Sequence, residues 1–172
     1  MRMTLRVTTA AALALAAAVT TGPASATDHR RDTRDSTFLR TIHQGNLWEI
    51  AAGQDAQRHA VTRCVKQLGA VFVRDHRRLD RAGALVARSL RIALPGMMTA
   101  EQRRMLDEIR RHSGTRSYDR EWLKAQTKAH VDTLGLIDQE IGRGNSAKVR
   151  AAARSARPIV AHHLSELRGC RA

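Results

Sequence analysis

The sequence predicts an all-α protein: four long amphipathic helices in a bundle, with one short helix in the connection between the second and third. Three observations carry this. From about residue 36 onward the apolar residues recur at helical spacing nearly everywhere, and no stretch sustains the alternation of a strand. Proline and glycine punctuate the pattern at Pro95-Gly96, Gly114, and Gly142 with Gly144, dividing it into segments of bundle length. The connections between the first and second and between the third and fourth long segments are short, as antiparallel neighbours require.

The elements follow in order. The first 26 residues read as a secretory signal peptide, with Arg2 and Arg6 ahead of the apolar run Val7 to Val19 and Ala24-Ser25-Ala26 before the cleavage point. That run is shorter than the roughly 20 residues a spanning helix needs. The paired arginines of the twin-arginine route are missing, and the first cysteine, Cys64, is far from any lipidation position. The expectation is therefore general secretion, cleavage after Ala26, a soluble extracytoplasmic chain and no transmembrane segment in it. Residues 27–35 are polar and read as a tail; residues 36–172 form the bundle domain.

The first long helix is expected over 36–57, with Phe38, Leu39, Ile42, Ile50 and Ala56 facing inward. The second, over 61–91, uses Val65, Leu68, Phe72, Leu79, Val86 and Leu90. The short helix spans 99–112, where Thr99 and Gln102 have capping-box spacing and Gly114 sits at a C-terminal cap position. The third long helix covers 117–141, ended by Gly142 and Gly144. The fourth covers 146–168, with Pro158 removing one backbone donor inside it.

Charge and cysteines bound the function. The net charge is +14, and losing the two signal-peptide arginines leaves +12, nearly all of it from arginine since the chain has only four lysines. Such a balance suits anionic wall or membrane polymers. Arg74, Arg77, Arg78, Arg81 and Arg88 form a stripe on the second helix, a candidate polyanion surface. Few aromatics and no recognisable binding motif exclude sequence-specific nucleic-acid reading. The segment from Ile92 to Arg116 can span about 45 Å even with a helix inside it. An up-down-up-down bundle would place Cys64 and Cys170 at opposite ends, whereas a crossover would bring them to the same end. The crossover, and with it an intrachain Cys64–Cys170 disulfide, is the expectation.

Four ionisable residues fall on apolar arcs, one on each long helix. His76 lies beside Phe72 and Leu79, and His130 is centred among Leu123, Leu134, Ile137 and Ile141. His163 lies among Ala156, Val160 and Leu167, and Glu49 between Ile42 and Ala56. A single inward histidine is usually satisfied by a backbone carbonyl. Three imidazoles and a carboxylate converging on one core are instead what a metal needs, because a buried carboxylate is costly unless paired or coordinated. Glu49, His76, His130 and His163 are thus candidate ligands of a mononuclear zinc, copper, iron or manganese ion. At 1.5 Å per residue the four do not come level: His130 falls near His76, and His163 near Glu49. A smaller site is therefore expected, His76 and His130 with one of Glu49 or His163, and His43 could stand in for Glu49.

Asp-Ser-Thr-Phe-Leu (35–39), the Glu49 segment, Arg-Asp-His (74–76), Ala-His (129–130) and Pro-x-x-x-x-His-Leu (158–164) occur in an order that resembles an exported bacterial family, the domain of unknown function 4142. That family is grouped with ferritin-like four-helix bundles. The resemblance covers about Asp35 to Leu167 and implies a ferritin-like bundle and export, with no established activity. It singles out the same Glu49, His76, His130 and His163. One departure from ferritins matters: no Glu-x-x-His pair occurs, so a di-iron ferroxidase centre is not expected. There is no nucleophile–base constellation and no glycine-rich phosphate loop. The leading reading is an exported envelope bundle that binds or sequesters a metal, and nothing in the sequence points to an enzyme. The alternatives are a basic bundle contacting anionic polymers, or one docking a protein partner.

Overall fold

The structure, a computed structural model, describes residues 34–172; the expected signal segment and nearly all of the expected tail lie outside the described residues. Five helices follow one another: α1 (Arg34–His59), α2 (Arg63–Ser89), α3 (Ala100–Arg110), α4 (Arg116–Arg143) and α5 (Ala147–Gly169). No strand occurs among the described residues, and none of their helices is long and apolar enough to cross a membrane.

Local chemistry sets the ends. Helix α1 begins at Arg34 rather than Ser36, and Asp35 is no tail residue: it is buried, and its carboxylate accepts the backbone N–H groups of Asn145 (2.8 Å) and Ser146 (2.9 Å). Thr62 caps α2, starting it two residues later than its apolar pattern suggested. The capping box before α3 forms, with Gln102 N–H donating to Thr99 Oγ1 and Thr99 N–H to Gln102 Oε1. Gly114 adopts φ +73°, the left-handed conformation glycine tolerates, and its N–H donates to His59 O at 3.0 Å. Gly142 does not end α4; it remains helical, and Gly144 is the cap, donating to Glu140 O.

Helices α1 and α2 form one antiparallel hairpin and α4 and α5 another, with α2 packed on α5 and α1 on α4. Two carboxylates tie the hairpins together reciprocally. Asp35 at the start of α1 holds the α4–α5 turn, while Asp119 in the first turn of α4 accepts from Val61 N (2.9 Å) and Thr62 N (2.7 Å) in the α1–α2 turn. The segment from the end of α2 to the start of α4 therefore runs from one end of the bundle to the other, carrying α3 with it. Cys64 at the start of α2 and Cys170 after α5 meet at the end where α4 begins, joined by a disulfide with Cα atoms 5.9 Å apart.

Within the first hairpin the axes approach closely at a glycine pair. A Cβ on Gly53 would lie 2.6 Å from Gly69 O, and one on Gly69 would lie 2.6 Å from Gly53 O. The large core residues gather in the cysteine half: Phe72, Tyr118 and Trp122 are fully buried with Val65, Leu68 and Leu167. Trp122 Nε1 donates to Ala52 O and Tyr118 Oη to Asp55, so both aromatic polar atoms are satisfied. The opposite half is walled by smaller residues, a difference that shapes the site.

Candidate metal centre

Three of the four inward residues converge. His76 of α2, His130 of α4 and His163 of α5 are all buried, each offering a ring nitrogen within 4.8 Å of the others. Their ring centroids form a nearly equilateral triangle with sides of 5.7, 5.3 and 5.5 Å. The axial ruler had separated His163 from the other two. It treated the helices as parallel rods measured from their turns, whereas helices in a bundle cross at about 20° and slide relative to one another.

Each imidazole is fixed through one nitrogen and left open at the other. His76 Nδ1 pairs with Asn46 Oδ1 at 2.9 Å, His130 Nδ1 with the Gln126 carbonyl at 2.9 Å, and His163 Nε2 with Asp75 Oδ2 at 3.1 Å. Those partners are acceptors, so the ring N–H sits on that side and the lone pair on the other. The remaining nitrogens, His76 Nε2, His130 Nε2 and His163 Nδ1, are buried and have no hydrogen-bond partner. A ligand histidine held by a carbonyl, amide or carboxylate at its far nitrogen is the usual outer layer of a metal site.

The electrostatics keep these rings neutral, the state that coordinates. Burial holds His76 well below the usual imidazole range, reinforced by the neighbouring His130 and His163. Burial takes His130 down to about 4 against the opposing pull of the Gln126 carbonyl. It also lowers His163, with Asp75 opposing. Asp75 itself is held at about 2, chiefly by Arg74, which grips both its oxygens at 2.8 Å. A firmly ionised carboxylate therefore orients His163.

Glu49 does not join the triangle. Its Oε1 lies 3.6 Å from His130 Nδ1, on the anchored side of that ring, and its Oε2 has no partner. Burial pushes its carboxyl well above the usual range, with the Gln126 side chain pulling the other way. His43 is no substitute ligand, because Asp80 Oδ1 (2.6 Å) and the Pro95 carbonyl (2.9 Å) occupy both its nitrogens. Phe72 closes the cysteine side of the triangle, its ring 4.9 Å from His130 and 4.6 Å from His163.

Asn46, Asp75 and Gln126 were not singled out from sequence. Asn46 carried a usable signal, since it precedes Glu49 by three residues and shares its face. Asp75 stood in the Arg-Asp-His motif, but helix periodicity gave it no role, because it lies off the inward arc and reaches His163 only across the α2–α5 contact. Of the arginine stripe, Arg77, Arg78, Arg81 and Arg88 are exposed, while Arg74 is committed to Asp75.

A nitrogen triangle of this size suits a transition ion. Tetrahedral zinc with bonds of about 2.1 Å sets its nitrogens about 3.4 Å apart, so the rings would have to close inward by an ångström or so to hold it. Searches of curated proteins and of solved structures return no match to the chain. The model of the domain of unknown function DUF4142 matches residues 20–169, and the chain belongs to that family.

Proposed function

We propose that this protein is an exported, ferritin-like helical bundle that binds one transition-metal ion through His76 Nε2, His130 Nε2 and His163 Nδ1. One observation carries the reading: three buried imidazoles each offer a ring nitrogen within 4.8 Å of the others, and each has one nitrogen anchored and one without a partner. Leaving a buried polar atom unpaired costs roughly 1–3 kcal/mol, and a shared cation removes that cost for all three together. All-imidazole donors favour zinc, copper or iron over manganese, which prefers oxygen ligands. Three protein ligands leave a coordination position open, where a bound ion would act as a Lewis acid or take a further ligand. Glu49, beside His130, supplies a nearby carboxyl to offset the ion's charge.

The ferritin-like part of the reading is supported by the long connection between the hairpins and by the reciprocal Asp35 and Asp119 clamps. Export is supported by the sequence of the first 26 residues. Equilibrium dialysis against zinc, copper, iron and manganese salts, followed by elemental analysis, tests the metal. The expectation is one ion of a preferred metal per chain, lost in the His76→Ala, His130→Ala double variant. Equal uptake by both proteins would mean the metal sits elsewhere.

A further inference from the structure

On the side of the histidine triangle away from Phe72, the bundle is hollow. A cavity of about 790 Å³ extends from the level of Glu49, His76 and His130 to Leu39 and Ser89 near the far end. Its size falls within the 300–1,000 Å³ typical of small-molecule sites. The sequence explains the space. Helix α5 faces it with Ala152, Ala153 and Ala156, and α1 and α2 contribute Gly45 and Gly83, where an added Cβ would meet nothing within 4 Å. Aliphatic side chains, Leu79, Val86, Ile137, Ile159 and Val160, make up much of the wall between these positions.

Arg78, Asp132, Lys148 and Ser89 also line the cavity, but its buried polar atoms without a hydrogen-bond partner concentrate at one end. Trp48 Nε1, Glu49 Oε2, His76 Nε2 and His130 Nε2 all belong to buried residues lining the inner end, and none has a hydrogen-bond partner. From His76 to Ser89 the helix rises about 20 Å, so the chamber is elongated along the bundle. Leu85 and Leu136 line it while remaining exposed, which leaves apolar openings towards solvent. An elongated, largely apolar chamber with unpaired polar atoms at its inner end matches an amphiphile that enters head first.

We infer that the cavity binds a long-chain monocarboxylate, its alkyl tail along the α5 alanines and its carboxylate at the histidine level, where it completes the coordination of the ion. The placement of the head rests on the metal reading; the placement of the tail does not. Neutral imidazoles and the one Glu49 carboxyl leave at least half the charge of a divalent ion uncompensated in an apolar interior, and an anionic head answers that where an alcohol does not.

Trp48 in the wall makes tryptophan fluorescence a direct readout. Octanoate, decanoate, dodecanoate and dodecanol are titrated into the full chain with and without zinc. Zinc-loaded protein should bind dodecanoate at least tenfold more tightly than dodecanol, with affinity rising about fourfold per added methylene. Gly83→Leu, which fills the chamber, should weaken dodecanoate at least tenfold and leave zinc stoichiometry at one. Gly83→Ala, a favourable change within a helix, should retain binding. If zinc binds but dodecanoate does not, or if Gly83→Leu leaves dodecanoate affinity unchanged, the inference is overturned and the metal reading stands. If zinc fails to bind while dodecanoate and dodecanol bind equally, the metal reading falls and the head placement with it.

Discussion

Acidification should destabilise the metal-free protein in a window set by its buried imidazoles. In the folded chain His130 titrates at about 4, against 6.5 ordinarily, because burial disfavours its charged form. Between those values the unfolded chain binds a proton that the folded chain refuses. Stability is therefore fully present above 6.5 and is lost as the pH falls toward 4. At about 1.4 kcal/mol per pH unit, the shift at His130 alone amounts to roughly 3 kcal/mol. That is a large share of the 5–15 kcal/mol typical of a domain. His76 and His163 are lowered as well and act in the same direction. Glu49, whose carboxyl is raised, acts with the opposite sign: its contribution is present below its ordinary value and lost as the pH rises. Comparing wild type with His130→Phe isolates the imidazole, since a phenyl ring keeps the stack on Phe72 without titrating. Urea unfolding with chelator present, followed by tryptophan fluorescence from pH 4 to 8, measures the difference. The wild-type curve should fall more steeply than the variant's by about 1.4 kcal/mol per pH unit between 4 and 6.5. Parallel curves would refute the claim that His130 is buried neutral.

Further outcomes follow from the same geometry. Asp75→Asn, which removes the anion orienting His163, should weaken zinc binding by about 10- to 100-fold while stoichiometry stays at one; unchanged affinity in a chelator competition would remove Asp75 from the site. Gly69→Ala places a Cβ against Gly53 O and should cost about 1–3 kcal/mol in urea denaturation, whereas Gly142→Ala, where nothing stands within 4 Å, should cost nothing. The disulfide spans 106 residues, so replacing both Cys64 and Cys170 with serine should lower stability by about 5 kcal/mol on chain-entropy grounds. A loss below 1 kcal/mol would mean that the reduced chain is already constrained at that end.

What was legible in the sequence was periodicity. Phe72, His76 and Leu79 share an arc because helix geometry puts them there, and the same arithmetic placed His130 and His163 inward. Glu49 was also correctly read as buried. What a one-helix reading cannot carry is the relation between helices. The level of His163 depends on how α5 slides against α2, and Asp75 meets His163 from outside its own helix's inward arc. Asp35 looked like tail because its partners, the Asn145 and Ser146 amides, lie 110 and 111 residues away. The cavity was hidden for a similar reason. Alanines at 151–153 are ordinary helix formers taken alone, and only the small residues opposite them turn that face into open volume.

The position of a bound ion is the most direct measure of the histidine triangle's role. Crystals of the protein grown with zinc and measured at the zinc absorption edge should show one strong anomalous peak per chain inside the bundle. It should lie about 2.1 Å from His76 Nε2, His130 Nε2 and His163 Nδ1, with the opposite nitrogens still on Asn46, Gln126 and Asp75. An empty triangle, with zinc only at exposed groups such as His162, would make the three imidazoles ordinary core residues and contradict the metal reading.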